Sequence, residues 1–238
     1  MKIDCIAIDD EPLALEILRK QIEKVEYLNL LQTFHSAPEA LKYLSENNID
    51  CIFLDIEMPD LNGVELSKII HQFSVKPEIV FVTAYSRYAV KEYQLQSIGF
   101  LLKPFSFEDF KAVAEKLKKT HLVKIKNLEA IEEPFFLRIE ARQVKLFPHQ
   151  ILYMESMGDY VKVFLETEAS PLIPLITLKK IKSYLPKFLF LQINRSQIVN
   201  LQKISSYGAG NLSVGEKQFN VSDSFREDFE LAKRMILS

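Results

Sequence analysis

The chain has 238 residues, of which 48% are hydrophobic and 26% are charged, as is typical of a globular protein with one or two domains. It has no run of about 18 uncharged apolar residues and no secretory signal pattern, so we predict no membrane insertion. The two cysteines, Cys5 and Cys51, lie in apolar runs, and the four histidines lack ligand spacing. These features argue against a redox role or a zinc site and favour a cytoplasmic protein.

Charge is distributed unevenly along the chain. Residues 1–134 carry 16 basic and 22 acidic side chains, whereas residues 135–238 carry 14 and 10, which gives net charges of −6 and +4. This asymmetry hints at an acidic module joined to one that tolerates a polyanion. A net charge of +4 is also common in domains that have no nucleic-acid partner.

The first half alternates five strand-like segments with five helix-like segments. The strand-like segments are short and almost continuously apolar, which is typical of parallel strands buried on both faces. We therefore predict an α/β domain over residues 1–120, with a five-stranded doubly wound parallel sheet. The predicted strands are IDCIAID, LNLLQTF, CIFLD, EIVFVTA and GFLLK, and the predicted helices are PLALEILRKQIEKV, APEALKYLSEN, VELSKIIHQF, SRYAVKEYQ and FEDFKAVAEKLKKT.

The second half consists mainly of short segments separated by turns. From Phe135 onward the strand-like runs are brief, and MGD, YGAGN and GEK mark turns between them. This pattern predicts a mostly-β domain over residues 135–238. One helical segment, LKKIKSYL, lies within it, and SFREDFELAKRM closes the chain. Residues 121–134 are polar and mixed in character, and we interpret them as a linker.

Polar side chains follow the apolar strands of the first half. Asp9 and Asp10 end the first strand and Asp55 ends the third, while Thr83 ends the fourth and Lys103 the fifth. The carboxyl ends of parallel strands share one edge of the sheet, where ligands bind. We therefore expect these five side chains to converge.

Three neighbouring carboxylates repel one another unless a cation neutralises them. Oxygen ligands with water completing the shell suit Mg²⁺, so we predict that Asp10 and Asp55 bind Mg²⁺ directly. Asp9 would act through water, and the backbone carbonyl of Glu57 is placed to help. Alternatively, Asp9 and Asp10 cap the helix that begins near Pro12, and Asp55 is a loop acid.

A hydroxyl and an ammonium at the same edge can each hold a phosphoryl oxygen. Taken separately, Thr83 is an ordinary strand residue and Lys103 a solvated lysine. Together with the acids they predict phosphoryl transfer, in which a carboxylate attacks while Lys103 and Thr83 hold the group.

The stretches IDDEP, LDIEMPDLNG, FVTAY and LLKPF resemble the receiver domain of bacterial two-component response regulators. The resemblance covers residues 1 to about 120. It implies that Asp55 accepts phosphate from a sensor histidine kinase and that Lys103–Pro104 is a cis peptide. It also implies that Phe100 is a switch aromatic, although plain core packing is an alternative role for this ring.

The stretches ILYMESMGDYVKVF, TLKKI and FLQINRSQIVNLQKI resemble the LytTR DNA-binding domain over roughly residues 135–238. That family binds DNA through loops that enter successive major grooves. The resemblance implies contacts from Asp159 and Tyr160 in one loop, from Arg195 in a second, and from the segment around Ser222 in a third.

Arg195 is the strongest of these candidates, because a guanidinium can pair bidentately with a guanine edge. A structural ion pair is its alternative role. Asp223 facing DNA would be unfavourable, and Arg226 is the candidate substitute in that segment. The candidates for phosphate contacts, which could equally form a solvated basic face, are Lys162, Lys179, Lys180 and Lys182.

The leading hypothesis is therefore a phosphorylation-gated transcription regulator that dimerises and binds paired DNA half-sites. A second hypothesis is an aspartyl-nucleophile phosphatase, for which Glu57 is the candidate general acid. A third is a receiver protein whose C-terminal domain binds a protein partner and not DNA.

Overall fold

The computed structural model describes residues 2–59, 61–73, 75–84, 97–208 and 210–236. The chain divides into two compact units, residues 1–123 and residues 124–238. The predicted helix SRYAVKEYQ, residues 86–94, lies outside the described residues.

The first unit contains the predicted five-stranded parallel sheet, with strand order β2-β1-β3-β4-β5. The strands pair in parallel throughout, so all five carboxyl ends lie along one edge. Its elements are β1 Ile3–Ile8, α1 Pro12–Glu23, β2 Leu28–Phe34, α2 Ala37–Glu46, β3 Cys51–Leu54, α3 Gly63–Ile70, β4 Glu78–Thr83, β5 Gly99–Leu102 and α4 Phe107–Glu132.

The continuous apolar strands are explained by burial on both faces of this sheet. Along β1, Cys5 and Ala7 pack with the apolar faces of α1 and α4. Ile6 and Ile8 alternate with them and pack with α2 and α3 on the opposite face. Because successive side chains of a strand point to opposite faces, both sets must be apolar.

Helix α4 is longer than the sequence predicts. We expected it to end at Thr120, whereas it continues to Glu132, so most of the predicted linker is helical. No proline or glycine interrupts residues 107–133, and Pro134 disfavours the helical conformation at the preceding residue. Neither this helix nor any other in the described part of the chain is long and apolar enough to cross a membrane.

The second unit is mostly β, as predicted. A four-stranded antiparallel sheet of order β10-β11-β8-β9 lies at its centre, with a three-stranded sheet, β12-β13-β14, and a hairpin, β6-β7. The strand β12 was not predicted. The elements are β6 Phe135–Ile139, β7 Arg142–Leu146, β8 Ile151–Met157, β9 Tyr160–Leu165, α5 Leu178–Lys182, β10 Phe190–Asn194, β11 Gln197–Asn200, β12 Ile204–Tyr207, β13 Asn211–Val214, β14 Lys217–Asn220 and α6 Arg226–Ile236.

The two faces of the central sheet bury different partners. Met154 and Ile198 lie in a cluster with residues of α5 and the β6-β7 hairpin. Tyr153 and Val199 lie in a second cluster with residues of the three-stranded sheet and Phe229 of α6. The central sheet is therefore covered on both sides, and its loops remain exposed at its ends.

Candidate functional site

The carboxyl edge of the parallel sheet brings together acids and a lysine from distant parts of the sequence. Asp9 follows β1, Asp55 follows β3 and Lys103 follows β5. The Lys103 Nζ lies 2.7 Å from the Asp9 Oδ2 and 3.7 Å from the Asp55 Oδ2. Carboxylate oxygens of Asp9, Asp10 and Asp55 lie within 4.8 Å of one another. We call these four residues the acid pocket.

Burial governs the protonation of this pocket. Asp9 and Asp55 are buried, whereas Asp10 is more exposed. Burial raises the pKa of Asp55 to about 6, and the nearby charge of Asp9 adds to this rise while Lys103 opposes it. Burial also raises the pKa of Asp9, against the hydrogen bond from Lys103. Ionisation of either buried carboxylate therefore carries an energetic cost.

Main-chain amides orient the two buried carboxylates. The Ile56 amide donates to the Asp55 Oδ1 over 2.9 Å, and the Glu11 amide donates to the Asp9 Oδ1 over 3.0 Å. The contact with Glu11 supports the start of α1, where Glu11 itself makes no side-chain cap. Asp9 therefore contributes to the helix start and to the acid pocket at once.

Gly63 permits the loop after Asp55 to close tightly. A Cβ atom at Gly63 would lie 2.0 Å from the Asp55 backbone oxygen, closer than any real contact. The Gly63 amide also donates to the Ile56 carbonyl over 2.8 Å. The close approach of Gly63 to the Asp55 backbone had no sequence signal.

The remaining predicted residues of this half lie on β4, on β5 or in the loop after β3. Thr83 is buried at the end of β4, and its carbonyl accepts from the Lys103 amide over 2.8 Å. Phe100 on β5 is half-buried, with its ring centroid 5.1 Å from that of Phe81. The Glu57 side chain is exposed. The Lys103–Pro104 peptide is cis, as the resemblance implied.

An apolar depression of about 410 Å³ adjoins the acid pocket and was not predicted. Leu13 and Ile17 of α1 line it together with Pro104 and Phe105. A sequence signal for it was present, because Leu13 and Ile17 do not lie on the buried face of α1 that carries Leu15. Both side chains are exposed. Exposed apolar surface beside a reactive group is suited to contact another protein.

The donor set of the acid pocket fits a hard divalent cation. It offers only carboxylate oxygens, which Mg²⁺ prefers, and no sulfur or imidazole ligand. Three carboxylates and one ammonium leave two negative charges, which a divalent ion would balance.

The predicted DNA-binding loops lie at one end of the central sheet of the second unit. The turn with Asp159 joins β8 to β9, and the turn with Arg195 joins β10 to β11. The Ser156 amide donates to the Ser196 carbonyl over 2.7 Å, and the Ser222 amide donates to the Ile193 carbonyl over 2.9 Å. The three segments are therefore neighbours.

The candidate DNA-binding side chains of these three segments differ in whether they already have a partner within the protein. Asp159, Tyr160, Arg195 and Ser222 are exposed. The Arg226 guanidinium lies 3.0 Å from the Asp223 carboxylate. Arg226, the predicted DNA contact of the third segment in place of Asp223, is therefore already paired with Asp223.

The lysines proposed for phosphate contacts occupy two places. Lys162 lies on β9 opposite Glu155 of β8. Lys179, Lys180 and Lys182 lie on α5, and the Lys182 Nζ donates to the Gln192 side chain over 3.1 Å.

Two family models match the two halves. The family described as the response regulator receiver domain matches residues 5–115, and the LytTr DNA-binding domain matches residues 141–233. The chain belongs to the LytTR response regulators. It therefore joins a receiver domain to a DNA-binding domain, the arrangement of a transcription regulator in a two-component system.

Two relatives match most of this chain over most of their own length. The sensory transduction protein LytT of Oceanobacillus iheyensis is 31% identical, with coverage of 90% of this chain and 89% of its own. The transcriptional regulatory protein YpdB of Escherichia coli K12 is 31% identical, with coverage of 84% and 83%. The response regulatory domain of protein mrkE from Klebsiella pneumoniae is 35% identical, with coverage of 50% and 97% and a TM-score of 0.47.

Proposed function

We propose that Asp55 of this LytTR response regulator accepts a phosphoryl group from a sensor kinase and thereby controls DNA binding. The observation that carries the proposal is the acid pocket, in which the Asp55 carboxylate lies 3.7 Å from the Lys103 ammonium at the carboxyl edge of a receiver sheet. The apolar depression beside the pocket offers a surface against which the kinase can dock.

The transfer needs a nucleophile and a group that holds the phosphoryl oxygens. An Asp55 oxygen forms the new P–O bond, while the P–N bond to the kinase imidazole breaks and its electron pair returns to the ring nitrogen. Lys103 is placed to neutralise a phosphoryl oxygen, and Thr83 would donate a hydrogen bond to another. The Ile56 amide keeps the Asp55 carboxylate in its orientation.

The pocket would hold Mg²⁺ between Asp10 and Asp55, with Asp9 acting through water and the Glu57 carbonyl completing the protein ligands. When bound, the ion would neutralise the oxygens of the transferred group. Asp9 has a second task, because its Oδ2 accepts from Lys103 and so keeps the ammonium in the pocket.

Phosphorylation would be transmitted through Thr83 and Phe100. Thr83 would move toward the new phosphate, and the half-buried ring of Phe100 would turn into the vacated space. The altered receiver surface would favour a homodimer, and two linked LytTR domains would bind paired half-sites at a raised effective concentration.

The DNA contacts are proposed for the three neighbouring loops. Arg195 would pair with a guanine edge, with Asp159, Tyr160 and Ser222 beside it. The lysines of β9 and α5 would contact phosphates, which makes the affinity fall steeply with salt. Arg226 is a weaker candidate, because Asp223 already neutralises it.

The test is selection of bound sequences from a random DNA pool, with and without acetyl phosphate and Mg²⁺. We expect an enriched repeated motif whose binding tightens with the donor, and loss of this response in Asp55→Asn. Glu57→Gln is the matched control, because it removes an exposed carboxylate from the same loop and keeps the backbone carbonyl. An Asp55→Asn variant that responds like the wild type would refute gating at Asp55.

The same assays separate the alternatives. We propose a cytoplasmic regulator that accepts phosphate and does not turn over phosphomonoesters. Steady turnover that disappears in Glu57→Gln would favour the phosphatase. A pool without any enriched motif at low salt would favour a protein partner for the C-terminal domain.

A further inference from the structure

A chain of hydrogen bonds runs through the second unit to the Arg195 turn. The Lys217 Nζ of β14 donates to the Glu155 Oε1 over 2.7 Å, and the Gln197 Nε2 donates to the same oxygen over 2.6 Å. The Asn194 Nδ2 in turn donates to the Gln197 Oε1 over 2.6 Å. We call Lys217, Glu155, Gln197 and Asn194 the Lys217 relay.

The relay ends on the main chain of the turn. The Asn194 Oδ1 accepts from the Ser196 amide over 2.9 Å and from the Ser196 hydroxyl over 3.1 Å. The Asn194 Nδ2 also lies 3.4 Å from the Asn220 carbonyl, two residues before Ser222. One side chain therefore ties the turn that carries Arg195 to the segment that leads into the third loop.

The other end of the relay is anchored among aromatic rings. The Lys217 Nζ lies 4.9 Å from the centroid of Tyr153, 5.3 Å from that of Phe164 and 5.5 Å from that of Phe219. The side chains of Lys217 and Glu155 are 38% and 21% exposed. An ammonium held by three rings and a carboxylate has one strongly preferred position.

Resting on the proposed DNA-binding function, we propose that the Lys217 relay is a positioning device that holds the Arg195–Ser196 turn in the conformation that contacts base edges. None of the four relay side chains needs to touch DNA. Their effect is on sequence discrimination, because a bidentate contact from Arg195 requires a fixed main chain, whereas phosphate contacts tolerate movement.

The test compares Gln197→Met with Gln218→Met in the full-length protein. Both variants replace a glutamine with a side chain of similar length that makes no hydrogen bonds, but Gln218 is exposed on β14 and outside the relay. Amide hydrogen exchange followed by NMR is measured for Ser196 and for Val163, whose amide donates to the Leu172 carbonyl. The preference for the selected DNA sequence over random DNA is measured in parallel.

In Gln197→Met we expect the Ser196 amide proton to exchange roughly tenfold faster, while the exchange of the Val163 amide proton stays unchanged. We also expect the preference for the selected DNA sequence to fall roughly fivefold or more, with an unchanged affinity for random DNA. Gln218→Met should match the wild type. Lys217→Met breaks the relay at its other end and should likewise speed Ser196 exchange and weaken the sequence preference. Lys217→Arg keeps the positive charge and should leave both the exchange rate and the sequence preference as in the wild type.

Unchanged Ser196 exchange in Gln197→Met and Lys217→Met would overturn the relay. Faster exchange with an unchanged sequence preference would overturn its role in recognition. A wild-type protein that selects no sequence would instead refute the proposed DNA-binding function, and the recognition role with it, whereas the exchange measurement needs no DNA.

Discussion

Replacing Asp55 with asparagine should stabilise the metal-free receiver unit at neutral pH. Burial raises the pKa of Asp55 from its ordinary 3.8 to about 6. Asp9 and Asp10 act in the same direction, while Lys103 and the Ile56 amide oppose it. The native state therefore binds this proton more tightly than the unfolded chain does. The resulting stabilisation is complete below pH 3.8 and is lost as the pH rises through about 6.

The shift sets the size of the effect. A change of about 2.2 in pKa corresponds to a penalty of about 3 kcal/mol in the free energy of unfolding once Asp55 is ionised. Asp55→Asn keeps the shape and an acceptor for the Ile56 amide but removes the charge. We expect a gain of up to about 3 kcal/mol at pH 7.5, and a gain smaller by about 1.4 kcal/mol at pH 5, where native Asp55 is mostly protonated.

Calorimetry of the full-length protein in a chelating agent measures this gain. The transition of the receiver unit is identified as the one that Mg²⁺ shifts, and it should rise by roughly 10 °C in Asp55→Asn at pH 7.5. Mg²⁺ should narrow the difference, because the ion stabilises the wild type. Glu26→Gln, which alters an exposed carboxylate of the same unit, is the control. A variant no more stable than the wild type, or a gain independent of pH, would refute the reasoning.

Three further substitutions test the pocket and the DNA loops. In titration calorimetry, Lys103→Met should bind Mg²⁺ roughly tenfold or more tightly than the wild type, because the Lys103 ammonium competes for the same carboxylate oxygens. The variant should also be phosphorylated more slowly at Asp55. An unchanged Mg²⁺ affinity would contradict this reasoning. Gly63→Ala should cost about 1–3 kcal/mol in urea unfolding and slow phosphorylation, whereas Lys68→Ala on the same helix should do neither. In fluorescence anisotropy, Arg195→Lys should lose about 1–3 kcal/mol of binding free energy for the selected sequence, because lysine cannot pair bidentately with a guanine. The dependence of its affinity on salt should not change. An equal loss of affinity for random DNA would instead assign Arg195 to phosphate contacts.

Local sequence signals were sufficient for the parallel sheet and for most boundaries of its elements. The apolar strands that end in Asp9, Asp55 and Lys103 predicted which side chains meet, because parallel strands share one carboxyl edge. The same signals failed at the end of α4, where a polar, mixed segment suggested a linker. Polarity does not break a helix when proline and glycine are absent, so the helix runs on to Glu132.

The amino-acid sequence by itself determined the fold class and the identity of the acid pocket, since both follow from strand periodicity and the residues at strand ends. Only the tertiary structure decided how buried Asp55 is, how closely Gly63 approaches its backbone, and that Lys217 reaches Glu155 across 62 positions of sequence. These properties depend on distances between elements that are remote along the chain. Side-chain packing sets those distances, and no local pattern of residues records them.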